Sequence, residues 1–226
     1  MGRLLRHRSR HAGDELHFDV WSRTYDRSPM QVVFFGPIQR AVSATLASRL
    51  ASGKLLDIGT GTGRLLELLG QERPQLALFG LDRSAGMLNA ARQARAQLNL
   101  VRGAAEALPF PNESFDVVTS TLSFHHWSDQ PEALSEVRRV LRPGGAFALA
   151  DVSIDDLPRW EPVRVVARHM VAHGLPLNER HRLLEGAGLQ VVDERRAFHG
   201  RWIPLTVAER SSDQSERQNV HSRANR

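Results

Sequence analysis

Chemistry is most concentrated in Asp57-Ile58-Gly59-Thr60-Gly61-Thr62-Gly63. A short apolar run, Lys54–Ile58, leads in, and a helix-period run, Arg64–Leu69, leads out. A strand that feeds a helix through glycines lets main chain approach a ligand closely, because no Cβ intervenes. The helix start adds free N–H groups and the positive end of a dipole. The dinucleotide fingerprint G-x-G-x-x-G would put its third glycine where Arg64 stands; the spacing here is G-x-G-x-G. Asp57, two residues before the first glycine, would repel a pyrophosphate and attract a ligand that carries an ammonium group.

A second carboxylate stands where the next apolar run, Leu76–Leu81, ends. Asp82 lies about 20 residues beyond the loop, where an acid can accept hydrogen bonds from both hydroxyls of a ribose. An acid favoured by the dipole of the following helix is the alternative. Ser84 already fits the N-cap, which leaves Asp82 for the sugar. Ammonium and ribose together describe S-adenosylmethionine, whose sulfonium activates a methyl group. Its transfer is an in-line displacement in which the protein aligns the reactants in a dry site. A general base is needed only when the acceptor must lose a proton. Ser120-Thr121-Leu122-Ser123-Phe124-His125-His126-Trp127 follows the fourth expected strand. His125 and His126 are the candidate catalytic residues there, and a purely structural role is open to both. Ser120 is a candidate cofactor contact. Adjacent histidines seldom converge on one ion, no carboxylate spacing supports a site, and there is no cysteine, so no metal is expected.

Residues 55–65, LLDIGTGTGRL, resemble motif I of the class I S-adenosylmethionine-dependent methyltransferases. The resemblance implies that Asp57 binds the amino group of the methionine moiety and that Gly59, Thr60, Gly61 and Gly63 lie under methionine and ribose. Residues 80–88, GLDRSAGML, resemble the family's second motif, which implies Asp82 and Arg83 at the ribose and Met87 against adenine; a core methionine is the competing reading. Residues 103–110, GAAEALPF, resemble the adenine-binding stretch. The family usually has Asp where Ala104 stands, so Ala105 and Glu106 remain as the adenine contacts. Phe18-Asp19 and Tyr25-Asp26 resemble a segment that folds over the cofactor, which implies that Tyr25 closes over the methionine moiety. Arg138–Gly145 and Glu185–Leu189 resemble later blocks. The resemblance runs in order over about residues 50–200 and is closest to the ubiquinone-biosynthesis-like, small-molecule branch. It implies methyl transfer to a small-molecule acceptor. A non-catalytic binding or scaffold protein stays open because of Ala104. A nucleotide-dependent oxidoreductase is opposed by Asp57 and Arg64.

These residues need a scaffold that gathers strand ends. Short apolar runs alternate with helix-period runs, which implies βαβ units. Strands are expected at Lys54–Ile58, Leu76–Leu81, Leu98–Arg102, Phe115–Ser120 and Ala146–Ala150, and near Gln190–Phe198 and Trp202–Ala208. The last two are joined only by His199-Gly200-Arg201 and must be antiparallel. Helices are expected within Met30–Leu50, over Arg64–Leu69, from Ser84 to about Gln97, over Pro131–Leu141, and from an Asn178 cap to Ala187. The fold class is α/β: a Rossmann-like three-layer αβα sandwich on a mostly parallel seven-stranded sheet with an antiparallel last strand. With 226 residues, 41% of them hydrophobic, the chain suits a single domain over 15–210 with a substrate-side insertion at 158–175. Residues 1–14 and 211–226 are expected to be disordered tails. No apolar run is long enough for a membrane span, and residues 1–15 lack the apolar core of a secretory signal, so a cytoplasmic location is expected. The net charge of +5 lies in the ends. Residues 1–11 hold four Arg and no acid, 209–226 hold four Arg and three acids, and the body has 22 of each sign. Nucleic acid is therefore a disfavoured partner. Oligomeric state is not readable.

Overall fold

The computed structural model describes residues 18–156, 174–198 and 202–212. The expected basic arm, nearly all of the 158–175 insertion and most of the polar tail lie outside these residues.

Residues 18–25 form a first helix, α1. A π-helical turn, Gln31–Phe35, runs into α2 (Gly36–Leu46). Then come β1 (Gly53–Ile58), α3 (Arg64–Glu72), β2 (Leu76–Asp82), α4 (Ala85–Ala94), β3 (Asn99–Arg102), β4 (Phe115–Thr121), α5 (Gln130–Val140), β5 (Leu141–Ala150), α6 (Leu177–Gly186), β6 (Leu189–Phe198) and β7 (Trp202–Arg210). The sheet order is β3-β2-β1-β4-β5-β7-β6. β1 to β5 pair in parallel, and β7 runs antiparallel to both β5 and β6.

Strand side chains alternate between two apolar clusters, as a period of two requires. Leu55, Val117, Ala148 and Val207 join α2 and α3 on one face; Leu56, Val118, Phe147 and Ala208 join α5 and α6 on the other. Both faces of the central strands are thus covered, which suits a parallel sheet. The reversal of strand order between β1 and β4 opens a crevice at the carboxyl ends of the strands, where open α/β sheets bind ligands. No helix among the described residues is long and apolar enough to cross a membrane.

Three local expectations are corrected. The fourth helix ends at Ala94, where Arg95 leaves helical geometry to bond elsewhere. Pro143-Gly144-Gly145 is not a turn before the fifth strand but lies inside β5. There Phe115 still pairs with Leu141, the register shifts before Val117, and Gly144 takes a φ of 76°. Residues 142–145 thus pair with neither neighbouring strand, so proline there costs no ladder bond. Asn178 does not cap α6; the helix starts one residue earlier, and its cap position is Pro176.

Candidate functional site

A cavity of about 540 Å³ opens at the crevice, within the usual size of a small-ligand site. The glycine loop forms its floor. Gly59 and Gly61 take φ of 75° and 55°, the left-handed region that costs glycine little. A side chain at Gly59 would collide with Ser123, whereas one at Gly61 would meet nothing within 4 Å. Gly61 therefore presents bare main chain to open space. Gly63 does not line the cavity. It is the left-handed N-cap of α3, and a Cβ there would strike Leu98.

Two carboxylates flank the floor. Asp57, 3% exposed at the end of β1, accepts a hydrogen bond from Thr119 Oγ1 at 2.8 Å. Burial pushes its carboxyl up to about 7, against the pull of that bond. Asp82 ends β2. Its Oδ2 accepts from the Gly61 N–H at 2.7 Å and its Oδ1 from the Ser84 N–H at 2.8 Å. Burial raises this carboxyl as well. Asp82 thus ties the loop to β2 and keeps lone pairs for a ligand, since a carboxylate offers about four acceptor sites. Ser84 caps α4 as expected, accepting from the Met87 N–H at 3.0 Å.

Thr60, Met87, Ala105, Glu106, Arg83, Tyr25, His125 and His126 all line the cavity. Glu106 already has three protein partners, which leaves it fewer lone pairs for a ligand amine. It pairs with Arg83 at 3.0 Å and accepts from the main-chain N–H groups of Ser128 and Asp129. Arg83 also reaches Ser128 Oγ at 3.1 Å. Ser120 is not brought to the wall. It is buried in the sheet, its hydroxyl 2.9 Å from that of Ser123, and Ser123 stands at the surface in its place. Thr121 Oγ1, at the same strand end, is buried with no hydrogen-bond partner among the described residues.

A cap covers the mouth. Trp21 and Tyr25 on α1 meet edge to face at 4.7 Å, and Tyr25 packs on Phe35 at 5.4 Å. Burial raises the Tyr25 phenol to about 12, so it stays neutral. Asp19 accepts from Ser84 Oγ and from the Gly86 N–H at 2.8 Å; these bonds, Ser84 first, hold its carboxyl below the usual range. Asp26 accepts from Thr62 Oγ1 at 2.6 Å and pairs with Arg95 at 2.8 Å.

The last feature was missed in the sequence. Asp151, just past β5 and 0% exposed, holds His125 twice. Its Oδ2 accepts from the His125 main-chain N–H at 2.8 Å, and its Oδ1 stands 2.6 Å from the ring Nδ1. Burial by itself would raise the Asp151 carboxyl, but the charge of His125 and the bond to it hold it below the usual range. The available signal was position: an acid directly after a buried strand, at the sheet's carboxyl edge.

Residues 56–149 match the methyltransferase domain family. A demethylmenaquinone methyltransferase from Thermotoga maritima is 37% identical over 99 residues, covering 44% of this chain and 43% of the relative. A bifunctional biotin-biosynthesis protein, BioHC, from Teredinibacter turnerae is 35% identical over 175 residues, 68% of this chain and 30% of the relative. The chain thus spans less than half the length of these two curated relatives. A solved S-adenosylmethionine-dependent methyltransferase from Aquifex aeolicus shares the fold, with a TM-score of 0.68 at 20% identity over 85% of this chain and 98% of that one. Over residues 56–149 the chain is thus similar to methyltransferase domains, and its fold is that of the solved S-adenosylmethionine-dependent methyltransferase.

The solved neighbour of this fold is S-adenosylmethionine-dependent, and the lining of this cavity fits that cofactor. An unpartnered hydroxyl at Thr121 and an open cradle at Gly61 leave polar main chain and side chain for a ligand. Two carboxylates at one crevice suit a ligand with an ammonium and vicinal hydroxyls. They do not suit a pyrophosphate.

Proposed function

We propose that this chain moves a methyl group from S-adenosylmethionine to a small-molecule acceptor. The observation that carries the reading is the pair Asp57 and Asp82 on either side of a glycine floor whose Cβ direction at Gly61 is empty. In this reading Asp57 takes the cofactor's ammonium and Asp82 its ribose hydroxyls. Gly59, Thr60 and Gly61 lie beneath methionine and ribose, with Gly63 setting the start of α3. Met87 and the main chain of Ala105 flank adenine. Arg83 and Glu106 brace the 128–129 turn, and Ser120 supports Ser123. Tyr25 closes the cap and keeps water out. When bound, the cofactor supplies a methyl group on a sulfonium. His125 and His126 stand at the cavity wall as candidate catalytic groups toward the acceptor. The relatives named as demethylmenaquinone methyltransferases support a small acceptor.

Incubation with methyl-labelled S-adenosylmethionine and three pools, metabolites, RNA and protein, tests this. Label is expected in the metabolite pool. Label confined to RNA or protein would refute the small acceptor, and cofactor binding without transfer to any pool would favour a scaffold.

A further inference from the structure

Resting on that reading, we propose that His125 and Asp151 form a general-base pair, and that the acceptor is a flat apolar molecule bearing a weakly acidic hydroxyl, of the phenol or enol class, methylated on that oxygen. A carboxylate shut away from water is costly unless its partners are good. Asp151 turns both oxygens to His125, Oδ2 to its main-chain N–H and Oδ1 to its ring Nδ1, and Oδ1 also accepts from the Val152 N–H at 2.7 Å. From α6, the buried Arg180 (1% exposed) donates to the carbonyls of Asp151 at 3.2 Å and Val152 at 2.8 Å. The strand end that carries the aspartate is therefore fixed from both sides.

An ionised carboxylate accepts only, so Nδ1 carries the hydrogen, and in the neutral ring Nε2 is the acceptor. The ring is 11% exposed and lines the cavity, with the His126 ring 4.0 Å away and Phe18 edge-on to His126 at 5.2 Å. A histidine that only filled the core would not need a buried anion aimed at its back. Among the described residues, the charged and titratable groups beside this ring are Asp151, His126 and, across the Asp151 carbonyl, Arg180.

The acceptor class follows from what such a base is for. A carboxylate acceptor is already ionised near neutral pH and needs no base. An ammonium acceptor would meet the like charge of the sulfonium. A hydroxyl gains from both features: its proton has a receiver, and the anion that develops on oxygen lies beside a cation. Aromatic walls from Phe18, Trp21, Phe34 and Phe35 suit a flat apolar body. In the step itself the acceptor O–H breaks and its proton passes to His125 Nε2. The oxygen lone pair forms the O–C bond while the C–S bond breaks, with that electron pair left on sulfur. Asp151 stabilises the imidazolium, which returns the proton to solvent.

The test uses 4-nitrophenol, whose phenolate absorbs in the visible, on protein loaded with sinefungin, an analogue of the cofactor with no transferable methyl. At one pH unit below the free probe's pKa, bound probe on the native protein is expected to ionise as if its pKa were lowered by about one unit, a tenfold change in the phenolate-to-phenol ratio. H125Q should abolish the shift and D151N should reduce it, with sinefungin affinity by calorimetry unchanged in both. H125Q keeps the test available should D151N fail to fold. Equal ionisation in H125Q, or a methylated product labelled on a carboxylate or carbon, would overturn the pair's role. If native protein does not bind sinefungin, the methyltransferase reading falls, and this inference with it.

Discussion

Asp57 is where the residue scale is most informative, because one carboxylate has to be neutral and charged at different moments. Burial raises it from 3.8 to about 7, so between about pH 4 and 7 the native state holds a proton that the unfolded state has released. Stability therefore falls as pH rises through that window. A bound ammonium reverses the preference and draws the proton off. Cofactor affinity should climb about tenfold per pH unit below 7 and level off above it. Calorimetry at pH 6 in two buffers of different ionisation enthalpy should detect close to one proton released, and D57N should flatten the dependence. Affinity constant from pH 5.5 to 7.5 would contradict this. That Asp57, Asp82, Gly59 and Gly61 meet at one cavity was legible because their spacing puts main chain between two acids at strand ends. That Ser120 and Gly63 lie off the wall, and that Glu106 has protein partners, was not, because sequence adjacency does not say which way a residue faces. Ser120 turns into the sheet, while Glu106 is claimed by Arg83 and the 128–129 turn.

Among the elements, the cap over residues 18–35 hangs on two carboxylates. Asp19 holds it to the start of α4, and Asp26 holds it to Thr62 and Arg95. Arg95 also pairs with Glu67 at 2.7 Å, so removing Asp26 halves the charge compensation of a buried guanidinium. D26A should cost about 1–2 kcal/mol, below the figure for a fully buried pair because Asp26 is 31% exposed. Hydrogen exchange should quicken across 18–35 and stay unchanged in β5; equal protection of the cap in D26A would show that these bonds do not hold it. The helix at 18–25 and its latches were legible only as a resemblance. Their order comes from partners 36 to 69 residues away, which no local periodicity records. The Asn178 cap failed for a local reason: Pro176 takes the cap position, and the helix begins at Leu177.

At the scale of the whole molecule, strand number and direction were largely readable. Alternating buried strands and helices imply parallel crossovers, and a three-residue link between the last two strands forces them antiparallel. The strand ends so gathered put Asp57, Asp82 and Asp151 around one crevice, although Asp151 follows Asp57 by 94 positions and no motif joins them. That convergence is a product of topology and had to be seen in three dimensions. The central claim is that this crevice is shaped for S-adenosylmethionine. Isothermal titration of the native chain with S-adenosylmethionine, its demethylated product and NAD(H), repeated on D82A, tests it most directly. Both sulfur compounds should bind at one site with affinity reduced about tenfold or more in D82A, as expected for a lost charged hydrogen-bond acceptor, and NAD(H) should not bind. NAD(H) binding with neither sulfur ligand taken up would contradict the account.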